Sequence, residues 1–215
     1  MCFSATASFA AAGGLAIIGG ASLAVAKKED RALAAIPLMF SLQQACEGVQ
    51  WLYLNSGATS SIAAYGFLFF AYIVWPVYVP MTVWILDKKR RPVLIWFVAA
   101  GVVVAAYFLE TFEYVPMVVE KVHMCISYTF HQAFEDLGNI IYLLAVFGSL
   151  LVSSMKIFRW YGVAICVLAA IAWTIYSFAF TSVWCFFSAI VSVMFFVYME
   201  SKRYPRLAKE ILKKI

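Results

Sequence analysis

Long apolar runs, separated by short polar stretches, dominate the pattern of this 215-residue chain. Seven of the runs approach the roughly 20 residues that a helix needs to cross a bilayer core about 30 Å thick. A helix satisfies its backbone hydrogen bonds internally, and these runs are too long for barrel strands. The pattern therefore predicts an all-α, polytopic membrane protein with helices over residues 5–26, 32–54, 62–86, 92–109, 134–154, 159–180 and 182–199.

The cationic residues predict how the chain is threaded. They cluster after the first, third and fifth runs and in the tail, and of the 16 cationic side chains only Lys121 falls in a loop of the opposite set. Short loops rich in Lys and Arg stay cytoplasmic, so the N-terminus is expected outside and the C-terminus inside. Because no cation precedes the first run and Lys27 and Lys28 follow it, we interpret that run as an uncleaved anchor.

Composition agrees with lipid as the solvent of this chain. Hydrophobic residues make up 65% and charged residues 13%, about half the charged share of a soluble domain. We expect one membrane domain over residues 1–201, in a cell membrane, and a basic amphipathic tail over 202–215 that binds anionic lipids. The net charge of +5 lies in short clusters between apolar runs, which fits topology and argues against nucleic acid as a partner.

Two local patterns predict packing. Gly13, Gly14, Gly19 and Gly20 form a small-residue surface on the first helix that lets another helix approach closely, within the chain or in a homodimer. The loop over residues 110–133 alternates apolar and polar positions, which is typical of a hairpin or a re-entrant segment lying over the bundle.

The second predicted helix carries a polar stripe within its apolar sequence. Gln43, Glu47 and Gln50 recur at three to four residues and share one face. An ionisable residue within a spanning helix costs about 2.5–3.5 kcal/mol on insertion scales, so this face should point into the bundle. Glu47 is the candidate counter-charge for a bound ligand or ion.

The fifth predicted helix begins with a second stripe, HQAFEDLGNIIY. His131, Glu135 and Asn139 share a face, and Asp136 lies beside them. A His and a Glu at i and i+4 can form an ion pair, hold a metal ion or pass a proton. His131, Glu135 and Glu47 are therefore candidate ligands of a divalent metal.

Both stripes are expected in the outer half of the membrane, together with other polar side chains. These are Ser4, Thr6 and Ser8 of the first helix, Thr174, Ser177 and Thr181 of the sixth, and Cys185 and Ser188 of the seventh. The concentration of polar groups in one leaflet predicts a pocket open to the outside. We take its ligand-binding residues to be Gln43, Glu47, Gln50, His131, Glu135, Asp136 and Asn139.

Three cysteines are expected at the same outer face. Cys125 and Cys185 could form a disulfide that ties the long loop to the last helix, if the compartment is oxidising. Cys2 would then be a free nucleophile, a metal ligand or a packing residue.

Several membrane-enzyme and receptor classes are excluded by residues. The last helix has no lysine for a retinal Schiff base, and two histidines are too few for a ceramidase-type hydrolase. No HExxH, GxSxG or phosphate-binding glycine loop occurs.

The opening MCFSATASF, a small-residue helix and the later segment AIPLMFSLQQACEGVQWL resemble a family of uncharacterised bacterial membrane proteins, a domain-of-unknown-function family of about this length. The resemblance covers the chain and implies a multi-helix membrane fold in the bacterial inner membrane. It implies no activity and no site residues.

Three functions remain open at this point. The first is binding or transport of a cation or a small polar or amphiphilic ligand in the outward pocket. The second is a metal-dependent hydrolase that acts on a lipid-like substrate at the outer leaflet. The third is a sensor or structural subunit in which the polar stripes only hold helices together.

Overall fold

A computed structural model of the chain describes residues 4–130 and 135–204, without the side chain of Glu135. Most of these residues are helical, and one small antiparallel hairpin interrupts the helices. The elements are α1 (Ala5–Val25), α2 (Ile36–Asn55), α3 (Ser61–Leu86), α4 (Arg91–Tyr114), β1 (Val118–Val122), β2 (Cys125–Thr129), α5 (Asp136–Val152), α6 (Lys156–Tyr176), α7 (Phe180–Val191) and α8 (Val193–Arg203).

Local sequence explains where several helices begin. The Ser4 and Ser60 hydroxyls accept hydrogen bonds from the amides of Ala7 (3.1 Å) and Ala63 (3.3 Å), which caps the first turns of α1 and α3. Proline occupies the first turn of α2 and of α4, where its missing amide hydrogen removes no helical bond.

Two helices contain a π-helical turn. Phe69–Val74 forms one within α3, and Leu144–Gly148 forms the other within α5. Such turns are uncommon and often occur next to functional sites, since the extra residue re-aims neighbouring side chains.

Four helical stretches in the described residues are long and apolar enough to span a membrane: Ala5–Val25, Ser61–Leu86, Arg91–Tyr114 and Lys156–Arg203. The protein is a multi-pass membrane protein, but the prediction of seven spanning helices is wrong by this measure. α2 carries too many buried polar residues to qualify, and Asp136–Val152 is too short. The last two predicted helices belong to one helical stretch.

That last stretch, which comprises α6 to α8, folds back on itself. The backbone leaves α-helical geometry at Tyr176, and Ser177–Ala179 forms a tight 3₁₀ turn. α7 then packs against α6, where the Trp184 indole N–H donates to the Ile165 carbonyl (3.3 Å). The turn between α6 and α7 brings polar side chains to one end of the bundle.

Hydrogen bonds show that the basic loops lie at one end of the molecule. Lys202 pairs with Asp30 (2.6 Å), which joins the end of α8 to the loop before α2. The Tyr78 hydroxyl of α3 donates to the Ala32 carbonyl (2.7 Å) in the same region. Asp87, after α3, accepts from residues in the loop between α5 and α6.

The hairpin lies at the opposite end, as the alternation in the long loop predicts. β1 and β2 pair antiparallel, with Val118 opposite Thr129 and Val122 opposite Cys125. The Ser127 hydroxyl of β2 donates to the Phe178 carbonyl (2.7 Å) in the turn between α6 and α7. Tyr128 stacks on Phe67 of α3 at 5.0 Å between ring centroids. The hairpin therefore covers this end of the bundle.

α1 packs closely along α2, and Gly19 is the residue that allows it. A Cβ at Gly19 would lie 2.6 Å from the Leu38 backbone nitrogen, whereas a Cβ at Gly20 would meet nothing within 4 Å. Small-residue contacts of this kind bring membrane helices together by van der Waals packing.

We expect Gly19→Ala to lower the free energy of unfolding by about 1–3 kcal/mol, because the added methyl forces two backbones apart. Thermal unfolding of the detergent-purified protein measures the change. Gly20→Ala is the matched control and should leave Tm unchanged or raise it, because its methyl meets no neighbour and alanine favours the helix; a loss of Tm equal to that of Gly19→Ala would contradict the packing described above.

Asp87 joins the loop after α3 to the loop after α5. It is buried, with 2% of its surface exposed, and accepts from the hydroxyls of Ser153 (2.8 Å) and Ser154 (2.7 Å) and from the amide of Arg90 (3.3 Å). Burial works against ionisation, but these hydrogen bonds outweigh it and hold the pKa of Asp87 below its ordinary value.

When folding lowers the pKa of a carboxyl group, the ionised group stabilises the fold at pH values above its pKa in the unfolded chain. This stabilisation is lost as the pH falls through the pKa of the group in the folded protein. We therefore expect Asp87→Asn to cost about 1–3 kcal/mol at pH 7. The difference from the unmodified protein should shrink below about pH 4. Unfolding curves from pH 7 to pH 3 measure it, with exposed Glu113 changed to Gln as the control. A difference that stayed constant over this range would contradict the assignment.

Candidate functional site

A cavity of about 700 Å³ lies between the hairpin, α3, α5 and the turn from α6 to α7. This volume falls within the range of small-molecule sites. β2 forms one wall, and Tyr72 in the π-helical turn of α3 forms part of another. The described contacts put this cavity at the hairpin end of the bundle, away from the basic loops.

Aromatic rings make up much of the cavity wall. Phe180 stacks on Trp184 at 5.4 Å and meets Trp173 edge to face at 5.6 Å. Tyr142 packs between Trp184 (5.8 Å) and Tyr72 (6.1 Å). Faces of such rings attract both apolar groups and cations.

The cavity also contains a small number of polar groups. Asp136 and Asn139 of α5 line it, and so do Ser177 in the turn after α6 and Thr181 and Ser182 of α7. The Thr181 hydroxyl is hydrogen-bonded to the Tyr72 hydroxyl (2.9 Å). Asp136 is exposed and Asn139 is half-buried, so a ligand in the cavity could reach both.

Gln43 and Gln50 of α2 lie outside the cavity lining. Both are fully buried, and their amides bind other helices. Gln43 accepts from the Trp75 indole (2.8 Å) and donates to the Phe67 carbonyl (3.4 Å), and Gln50 accepts from the Ser60 amide (3.2 Å). Their side chains hold α2 against α3.

Glu47 also lies behind the cavity, one residue away from it. Its side chain is fully buried, and one carboxylate oxygen accepts a hydrogen bond from the Ser182 hydroxyl. Because Ser182 lines the cavity, it connects the buried acid to the space in which a ligand would bind. Cys185, another lining residue, lies near both Gln43 and Glu47.

The residues predicted as one site are thus divided between two layers. Asp136 and Asn139 lie at the cavity, whereas Gln43, Glu47 and Gln50 lie in the packed interior behind it. His131 and the Glu135 side chain fall outside the described residues. The predicted contact between the two polar stripes therefore stays a prediction, and Ser182 is a described side chain that both bonds Glu47 and lines the cavity.

Three residues are candidate metal ligands. His131 and the side chain of Glu135 lie outside the described residues, and Glu47 lies within them. Within the described residues, no three His, Cys, Asp or Glu side chains come together as a metal site. The described residues alone therefore do not supply the ligands of a divalent metal ion.

The predicted disulfide is not formed in this structure. Cys125 and Cys185 are both buried thiols, although β2 packs against α7, as the prediction required. Cys2 lies outside the described residues.

Sequence reasoning missed Ser182 and the aromatic wall. Ser177, Thr181 and Cys185 stood out as polar residues in an apolar segment, and Ser182 carried the same signal beside Thr181. The aromatic rings gave no signal, because 18% of the chain is aromatic and rings of this kind are expected throughout a membrane protein.

The arrangement suits the binding of a small ligand. An aromatic wall with a few hydrogen-bonding groups can hold an amphiphile, with an acid at Asp136 for a polar or cationic end.

Comparison with known proteins gives a family and nothing more. No curated protein and no solved structure matches the chain. The model of a family of unknown function, DUF6629, matches residues 1–210, which is nearly the whole chain. The chain belongs to this DUF6629 family.

Proposed function

We propose that this membrane protein binds a small amphiphilic ligand with a cationic or hydrogen-bonding end in the cavity beneath the hairpin. The observation that carries the proposal is the cavity itself. It has about 700 Å³ of space, an aromatic wall and a carboxylate at Asp136. Transport of the ligand is an extension of this function that the same cavity would serve.

The division of polar and apolar groups supports an amphiphile over a simple polar metabolite. Trp173, Phe180 and Trp184 provide a continuous aromatic surface, whereas Asp136 and Asn139 come from a different helix, α5. A ligand with one apolar and one polar end would match both groups. A cationic end would also gain from the ring faces.

The position of the opening supports access from the bilayer. Ile140 and Trp173 both line the cavity, and they are 54% and 64% exposed. Residues exposed on a membrane helix face lipid, so an apolar tail could lie between α5 and α6. Within the described residues, α6 packs against α7 and the end of α5.

Orientation follows from the basic end of the molecule. Lys27, Lys28 and Arg31 lie near Lys202, and Lys88 to Arg91 lie next to the loop before α6. We place this end in the cytoplasm under the positive-inside rule. The cavity then opens toward the outer leaflet, where the ligand would be collected.

Asp136→Asn is expected to weaken binding of a cationic amphiphile about tenfold, because it removes the one charge among the described residues that line the cavity; tenfold corresponds to about 1.4 kcal/mol. Isothermal titration of the detergent-purified protein against long-chain quaternary ammonium compounds measures the affinity. Matched zwitterionic and uncharged amphiphiles complete the panel.

Glu113→Gln is the control for loss of an acidic side chain, since Glu113 is exposed and does not line the cavity. It should leave the affinity unchanged. No saturable binding by any member of the panel, or equal losses in the two variants, would contradict the proposed function.

A further inference from the structure

A second group of polar side chains lies beneath the cavity, where α1, α2 and α7 meet. It consists of Ser8, Gln44, Glu47 and Ser182, which we call the interior cluster. All four side chains are fully buried, with 0% of their surface exposed. Of the four, Ser182 lines the cavity.

The packing of α1 along α2 places Ser8 at this cluster. The Ser41 hydroxyl donates to the Ala12 carbonyl (2.7 Å). At the next contact along the antiparallel pair, a Cβ at Gly48 would lie 2.9 Å from the Phe9 ring. Ser8 is buried one turn from Ala12, so it faces the stretch of α2 that contains Gln44.

The interior cluster contains more hydrogen-bonding atoms than partners. Ser182 binds Oε1 of Glu47, but Oε2 has no hydrogen-bond partner within the described residues. Oγ of Ser8 has no partner either, and the Gln44 side chain lies close to the Glu47 carboxylate but has no other side-chain partner within the described residues. Unpartnered buried polar atoms are rare in folded proteins, and several of them in one cluster can be satisfied by a bound ion.

No basic side chain compensates the Glu47 carboxylate in the described part of the chain. The ion pair found there joins Lys202 to Asp30, at the basic end of the molecule. A buried carboxylate without a counter-charge costs several kcal/mol. The unpartnered polar atoms and the carboxylate without a counter-charge therefore belong to the same interior cluster.

The geometry points to a monovalent metal cation, of the class of Na⁺, bound by the interior cluster. Glu47, Gln44, Ser8 and Ser182 offer carboxylate, amide and hydroxyl oxygens, which are the ligands that hard cations prefer. One carboxylate neutralises one positive charge, which favours a monovalent over a divalent ion. This site goes beyond the proposed amphiphile site, since Glu47, Gln44 and Ser8 do not line the cavity.

The test uses the cation alone, without any organic ligand. The detergent-purified protein is exchanged into N-methylglucamine chloride, and Tm is measured as NaCl, KCl or LiCl replaces it at constant ionic strength. We expect one alkali cation to raise Tm saturably, by about 5 °C or more at a hundredfold excess over its Kd. A Tm that responds to none of the three ions would overturn the proposal, and would assign the compensating charge to a proton or to the amino terminus of the chain.

Variants separate this site from the cavity. Glu47→Gln should abolish the cation response, and Ser182→Ala should weaken the apparent affinity about tenfold while it leaves the carboxylate in place. Asp136→Asn should keep the full response, because Asp136 belongs to the cavity. If Glu47→Gln does not fold, Ser182→Ala and Asp136→Asn still decide the question. An unchanged cation affinity in Ser182→Ala would overturn the assignment, and the amphiphile titration would remain an independent test.

Discussion

The need to bury the polar face of α2 is the constraint on which this structure depends. Gln43, Gln44, Glu47 and Gln50 all have 0% of their surface exposed, because lipid offers such groups no hydrogen bonds. α2 must therefore lie inside the bundle, enclosed by α1, α3 and α7. Close packing at Gly19 brings α1 against it, and the bond from Trp75 to Gln43 brings α3 against it.

The same constraint creates the candidate site. Burial of Glu47 requires a polar partner from a neighbouring helix, and Ser182 supplies it from α7. The chain reaches Ser182 through a sharp turn between α6 and α7, and the hairpin packs on that turn through Ser127 and Phe178. The cavity is the space that remains under the hairpin beside this turn. The buried polar residues of α2, the turn between α6 and α7 and the hairpin that packs on this turn thus depend on one another.

Much of the arrangement could be predicted from the sequence. Three-to-four-residue spacing put Gln43, Glu47 and Gln50 on a buried face, and the alternation after Glu110 predicted the hairpin. The basic loops were correctly expected at one end, because clusters of Lys and Arg mark loops and these loops alternate with loops that are poor in cations. The small-residue pattern also predicted close packing of α1, although only Gly19 among Gly13, Gly14, Gly19 and Gly20 makes the contact.

Other features depend on tertiary contacts that periodicity does not encode. The partner of Glu47 is distant in sequence, so no local pattern could distinguish Ser182 from Ser177 or Thr181. The count of spanning helices was wrong for two reasons. Run length does not show where a helix continues through a turn, as from α6 to α8, and it overestimated α2, which carries several polar residues, and α5, which is too short. The two polar stripes were expected to line one pocket, but packing of Gln43 and Gln50 against α3 places them behind it.

The central claim is that Glu47 and Ser182 form a hydrogen bond in the interior, and a double-mutant cycle tests it most directly. Free energies of unfolding in detergent are compared for the unmodified protein, Glu47→Ala, Ser182→Ala and the double variant. Residues in direct contact show interaction energies of about 0.5–3 kcal/mol in such cycles. We expect a value in this range, whereas losses that add within about 0.3 kcal/mol would contradict the account.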